Sequence, residues 1–368
     1  MIDLDLDQFW RDDEKAHENN CFVSGPQIAL GIRMSDECVF SELDEEGTPW
    51  MPIERTRRLM LNRRYNDKAE KIVGLRLLQE DLPAQDAAFP EVRRIGEVFG
   101  GRYIYHNQTE WLTQSVHSLK ELEQLLDHVE KMDLRAFMLG DSWEEEKKRI
   151  WETFGFRPPL MRHIRGPVTL ACSIMGAEDF LFLVMDEPDL ALRFSDAIAS
   201  VTLGMAAIMD EEAAVTNTDT PGFSFADDNC CLMTPPMYEL FGFPVLQKVF
   251  AHYSPGKNDK RYQHSDSAMG HLLPILSRLD LNGVNFGPTV LIPEIRKHLP
   301  NARIDGCIAP MTFMRNDSKE LEREVRRDCA DALAFGGVNI STAGSINNGS
   351  SLESMLQVMC FIHQYGRR

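Results

Sequence analysis

Four short stretches carry side chains whose types and spacing allow chemistry. In "RYQHSDSAMGHLL" (261–273), His264 and Asp266 stand two residues apart. Alternate side chains of an extended strand share a face, so an imidazole nitrogen and a carboxylate are presented to one cavity. Such a pair offers two ligands to a metal or a proton donor and acceptor to a substrate. Asp266 or Ser267 also reads as the N-cap of a helix starting near Ala268, because Leu272, Leu276 and Leu279 recur at helical spacing. A carboxylate has lone pairs enough for both roles.

The second stretch, "FSFADDNCC" (223–231), places Asp227 beside Asp228. An unpaired buried charge is costly, so one carboxylate is expected to face a cleft and the other to cap or pair. Cys230 and Cys231 read as small buried residues rather than metal ligands. In "HNQTEWLTQ" (106–114), Glu110 beside Trp111 has the makings of a pocket floor for a flat substrate, or of ordinary core packing of the indole. In "STAGSINNGSS" (341–351), small residues ahead of Asn347 and Asn348 let a ligand approach the backbone closely, as they also do in any tight turn. His163, His252 and His271 lack partners in sequence and read as structural.

The elements that must position these residues follow from periodicity. From residue 160 onward, short apolar runs such as "LMRHIRGPVTLA", "PGFSFADDN", "KRYQHSD", "LNGVNFGP", "ARIDGCIAP" and "GGVNISTAG" alternate with helical stretches at 189–209, 235–250, 268–280, 290–299 and 318–335. "LQKVFAHYS" is a further strand candidate. Strand–helix alternation predicts a parallel sheet, and enough units are present to close an α/β, (β/α)8 TIM barrel. Each polar tail then falls at the carboxyl end of a strand, the face on which barrel active sites lie. An open doubly wound sheet is the alternative. Upstream, "HSLKELEQLLDHVEKMDL" and "DSWEEEKKRIWETFG" read as capped amphipathic helices. The expected division is a helical extension over 1–85, including "RTRRLMLNRRYNDKAEKIVGLRLL", packed on a barrel over 86–368.

Composition narrows the function classes. With 39 basic against 57 acidic residues, a net charge of -18, the chain repels phosphate backbones and anionic membrane surfaces. Nucleic acid and membrane are therefore not expected partners. Eight cysteines without a CxxC pair read as reduced thiols of a cytoplasmic protein. The acidic start "MIDLDLDQFWRDDEK" is unlike a signal peptide, and no run approaches the ~18 apolar residues of a membrane span.

Four consecutive segments carry a family resemblance. They are "GPVTLACSIMGAEDFLFLVMDEPDLALRFSDAI", "DDNCCLMTPPMYELFGFPVLQKVF", "HSDSAMGHLLPILSRLDLNGVNFGP" and "ARIDGCIAPMTFMRNDSKELEREVRRDCADALAFGGVNISTAGSINNGSSLESM". In order and spacing, over roughly 155–365, they resemble the superfamily of uroporphyrinogen decarboxylases and cobamide-dependent methyltransferases. That resemblance implies a (β/α)8 barrel with additional N-terminal helices, and homodimers are common in the superfamily. The decarboxylases carry an N-terminal Arg-Gln-Ala-Gly-Arg segment for their substrate's carboxylates. "RTRRLMLNRR" is basic but lacks that pattern, which weighs against a porphyrinogen substrate. Thiol-alkylating relatives hold zinc with a His-x-Cys pair and a later cysteine. Here His264 matches the histidine, Asp266 stands at the first cysteine's place and Gly344 at the second's. Losing both thiolates argues against thiol activation.

The expectation is therefore a methyltransferase that passes a methyl group between a small methylated compound, such as a methoxylated aromatic, and a corrinoid carried by a partner protein. His264, Asp227 and Asp228 are the expected catalytic groups. His264 and Asp266 are the expected metal ligands, for zinc or a harder ion, with Cys307 as a further candidate. Glu110, Trp111, Phe286, Phe313, Asn347 and Asn348 are the expected substrate contacts. A decarboxylase of a small acid and a non-catalytic ligand-binding barrel are the alternatives.

Overall fold

The computed structural model describes residues 4–23, 25–47, 49, 51, 53–106 and 109–368. Among them are nine strands: β1 Ala29–Leu30, β2 Tyr103–His106, β3 Thr109–Leu112, β4 His163–Arg165, β5 Phe223–Ala226, β6 Arg261–Ser265, β7 Gly283–Phe286, β8 Arg303–Ile308 and β9 Val338–Thr342. The chain forms two compact units, one of residues 83–264 and 274–281, the other of 1–82, 265–273 and 282–368. Parallel pairing runs from β4 through β5 to β6 and, separately, from β7 through β8 and β9 to β1. β2 and β3 form an antiparallel hairpin.

In the unit of residues 83–264, a 25-residue helix, Pro188–Glu212, forms the centre of the packing. It is long and apolar enough to cross a membrane by length and composition, but Phe194, Ile198, Val201, Met205 and Met209 are buried within the protein. Its last residue, Glu212, is a buried carboxylate. Trp143 donates its indole N–H to it at 2.7 Å, and Arg135 and Lys147 pair with it, tying the neighbouring helices to the core. A buried carboxylate without such donors would be strongly destabilising. The helix Trp143–Phe154 opens on Glu144, Glu145 and Glu146 and stops at Gly155, whose φ of 69° suits glycine. The helix Leu119–Val129 is capped by the Ser118 hydroxyl and buries Leu122, Leu126 and Val129.

In the other unit, residues 1–82 contribute more than helices. β1 pairs with β9, Ala29 with Asn339 and Leu30 with Ile340, and Arg367 near the C-terminus pairs with Asp12 at 2.6 Å. Residues 1–82 thus share one compact unit with 282–368. The helix Ser318–Phe335 starts at the expected place because Asp317 accepts the N–H groups of Lys319 and Glu320.

Two expected elements differ. "LQKVFAHYS" lies in the helix Gly242–Tyr253, burying Leu246, Val249 and Phe250 on one side. The helix expected over 268–280 is instead a 3-10 turn at Gly270–Leu272, a short helix at Leu273–Leu276 and a second 3-10 turn at Ser277–Leu279. Pro274 has no N–H to give, so the ladder cannot run through it. No side chain caps this run: Met269 stands at its N-cap, and the Ser267 hydroxyl lies 2.7 Å from that of Ser265.

One histidine of this unit sets a stability prediction. His17 Nε2 lies 3.4 Å from Asp13 Oδ2 and 3.2 Å from the Leu30 carbonyl, and Nδ1 faces the Cys21 thiol at 3.9 Å. The hydrogen bond to Asp13, first of all, raises the imidazole from 6.5 to about 9. A raised folded-state value means the stabilisation is complete below pH 6.5 and lost as pH rises through about 9. Melting temperature should therefore fall between pH 7 and pH 10. In His17→Gln that dependence should shrink, at a cost on the order of 1–2 kcal/mol at pH 7.

Candidate active site

The site grows from the register of three parallel strands. His163, Ser224 and Tyr262 are register partners, as are Arg165, Ala226 and His264 one step toward the carboxyl ends. Partners in parallel strands share a face. The 3.0 Å approach of His163 Nδ1 to Ser224 Oγ shows this directly. The opposite face belongs to helices, where Phe223 packs on Tyr253 and Phe225 on Phe250. His264 therefore projects from the face away from the helices, near the carboxyl end of β6.

Asp227 and Asp228 divide between two tasks. Asp227 is fully buried, and its oxygens accept the N–H groups of Thr169 at 2.7 Å and Val168 at 3.5 Å, at the start of the helix Pro167–Met175. Burial raises its carboxyl to about 6, against the lowering effect of those N–H donors. A Cβ on Gly166 would stand 2.2 Å from the Asp227 Cβ, so this close approach requires glycine. Asp227, expected among the catalytic groups, thus clamps a strand end to a helix start through its two backbone donors. Asp228 is half-exposed, and its Oδ1 lies 4.0 Å from His264 Nε2. Two further bonds fix the turn that carries it: Gly166 N–H to the Ala226 carbonyl at 2.7 Å, and Asn229 N–H to Thr169 Oγ1 at 3.0 Å.

Asp266 is exposed, two residues beyond His264 in the chain. A Cβ at Gly344 would stand 3.2 Å from Asp266 Cγ, and Gly344 has a φ of 117°. Residues 266 and 344 are thus neighbours, the Asp266 carboxylate lying where a side chain at 344 would crowd it. The Gly344 N–H donates to Asn285 Oδ1 at 3.1 Å, and Thr342 Oγ1 donates to the Gly344 carbonyl at 2.9 Å.

The expected substrate contacts lie elsewhere. Phe286 and Phe313 are fully buried and serve the core. Glu110 sits on β3 and is held by two N–H bonds from Arg94, at 2.6 and 2.9 Å, so its charge is already neutralised. Trp111 is 55% exposed; it neither floors a pocket nor packs in the core, because alternation along the hairpin turns it outward. Asn347, half-buried, donates to Met311 Sδ at 3.9 Å, and Asn348 is exposed. Cys307 is buried within β8, its thiol pushed far up by burial and donating to the Val290 carbonyl at 3.5 Å, which excludes it from the ligand set. Cys230 is buried, as expected of a small core residue. Sequence reasoning missed the row mates of His264, Arg165 and Ala226. The alternation in "HIRGP" and "SFAD" carried the signal, but pairing partners are not legible without the register.

Asp227→Ala is expected to cost about 1–3 kcal/mol in denaturant melts, because the helix start loses its acceptor. Asp227→Asn keeps an acceptor and removes the charge. The native folded-state value, about 6, lies above the ordinary 3.8, so native stability falls as pH rises through that window. The stability difference between Asp227→Asn and the native chain should therefore move in favour of asparagine from pH 4 to pH 7.

Comparison with known proteins accords with this architecture. The family described as uroporphyrinogen decarboxylase (URO-D) matches residues 94–365. A solved methyltransferase from Methanosarcina mazei superposes with a TM-score of 0.59 at 14% identity, over 95% of this chain and 97% of that one. No curated protein matches. The chain belongs to the uroporphyrinogen decarboxylase (URO-D) family and has its α/β TIM-barrel fold.

Proposed function

We propose that this chain is a methyltransferase that moves a methyl group between a small methylated compound, such as a methoxylated aromatic, and a corrinoid carried by a partner protein. The approach of Asp228 to His264 carries this reading. Family membership and the likeness to a methyltransferase support an enzyme of this broad type.

The donor set fits a divalent metal. The imidazole of His264 and the carboxylate of Asp228, both part-exposed and 4.0 Å apart, are donors that suit zinc or a harder ion, with Asp266 two residues further along the chain. When bound, such an ion supplies Lewis-acid stabilisation to an oxygen atom, here the one that gives up the methyl group. The chain's own residues orient that chemistry. The clamp at Asp227 holds the turn bearing Asp228, and Asp228 keeps an acceptor facing His264 Nε2. With no ion bound, His264 would instead serve as general acid toward a leaving alkoxide or phenoxide. Eight free cysteines support a reducing, cytoplasmic setting, and the family resemblance supports a homodimer.

Family membership also favours a second reading, decarboxylation of a small acid, in which His264 or Asp228 protonates the carbon left by carbon dioxide.

Elemental analysis after zinc supplementation is expected to find about one ion per chain, and His264→Ala to lose it. With cob(I)alamin and a methoxylated aromatic, the cob(I) absorbance should be consumed, and His264→Ala should slow this about 100-fold or more. Undiminished turnover by that variant would remove His264 from the mechanism. Carbon dioxide release from a small acid, with cobalamin unchanged, would establish the decarboxylase instead.

A further inference from the structure

The row that ends in His264 begins with a side chain that methyl transfer leaves unused. Arg165 is the register partner of Ala226, and Ala226 of His264, so all three share the face opposite Phe223 and Phe225. Arg165 makes no ion pair among the described residues. One Nη donates to Ser173 Oγ at 3.0 Å, and Ser173 in turn donates to the Thr169 carbonyl at 2.9 Å. A guanidinium has five N–H donors, so this single bond orients the fork and leaves most of it available. Elsewhere in this unit the arginines Arg94, Arg135, Arg162 and Arg193 are each held by a carboxylate. Arg165, beside the functional row, is held only by a neutral hydroxyl.

Between Arg165 and His264 stands a residue with a single methyl group. Adjacent strands lie ~4.8 Å apart, so the two backbones are about 10 Å from one another, and Ala226 fills little of the space above the middle strand. Arg165 is the permanent positive charge of the row, while Asp228 stands at its far end. The arrangement suits a ligand with an anionic group at one end and a neutral reacting group at the other.

We propose that Arg165 anchors a carboxylate of the substrate, which lies across Ala226 with its reacting group at the His264–Asp228 end. The proposal rests on the methyl-transfer reading for what happens at that end, though binding does not require turnover. A planar carboxylate matches the guanidinium fork through two parallel N–H bonds. A phosphate would bring a second negative charge toward Asp228, which disfavours it. Ala226 then sets the width of the slot and acts as a specificity-determining residue.

Calorimetric titration of the whole chain with 4-methoxybenzoate, and with methoxybenzene as its neutral counterpart, tests this. Arg165→Gln should weaken 4-methoxybenzoate by about tenfold or more and leave methoxybenzene within about twofold. Arg165→Lys, which keeps the charge but loses the fork, should fall between, and covers the case in which Arg165→Gln does not fold. Ala226→Leu should weaken both ligands. The proposal is overturned if wild type does not bind 4-methoxybenzoate, if neither Arg165 variant weakens it, or if 4-methoxyphenyl phosphate binds more tightly with the same dependence on Arg165. Carboxylate binding that needs Arg165, with no consumption of cob(I)alamin, would instead sink methyl transfer and leave the anchor standing.

Discussion

A carboxylate buried at a helix start governs the functional end of this protein. Asp227 is out of contact with solvent, and its oxygens accept the N–H groups of Val168 and Thr169. A helix begins with N–H groups that have no partner within the helix and a partial positive charge, so it is a natural place to satisfy such an anion. The contact is possible because residue 166 has no side chain. Its consequence is geometric. The residue after a clamped one has little freedom, and that residue is Asp228, whose oxygen faces His264.

The donor chemistry around His264 follows from which side chains its neighbours can accommodate. Gly344 leaves room for the Asp266 carboxylate at a distance where an added Cβ would already press on it. An acid at 266 and a glycine at 344 are thus one steric solution.

Much of the architecture was legible in residue pattern. The helix at 318–335 was recoverable because its cap, Asp317, and its apolar spacing are both local. The same holds for the helix closed by Gly155. Reading failed where a local signal competed with another. Leucine spacing over 268–280 outweighed Pro274 in the sequence reading, whereas in the chain the missing N–H prevailed. The apolar run "LQKVFAHYS" fits either period, and only its burial against one side makes it helical. Aromatic residues were poor guides to the substrate. Phe286 and Phe313 are large enough that the core takes them, and Trp111 is turned outward by the alternation of its hairpin.

Amino-acid pattern alone was enough to identify a parallel α/β chain, to place His264, Asp227 and Asp228 at strand ends, and to anticipate that two adjacent carboxylates would not share one fate. Those are consequences of periodicity and of the cost of burying charge, both of which act within a few residues. Which carboxylate goes inward, which residues flank His264 in its row, and that Glu110 is already paired with Arg94 were settled by packing across distant segments. Register between strands and the approach of a helix start to a strand end depend on contacts some sixty residues apart in the chain, and no short window of sequence contains them.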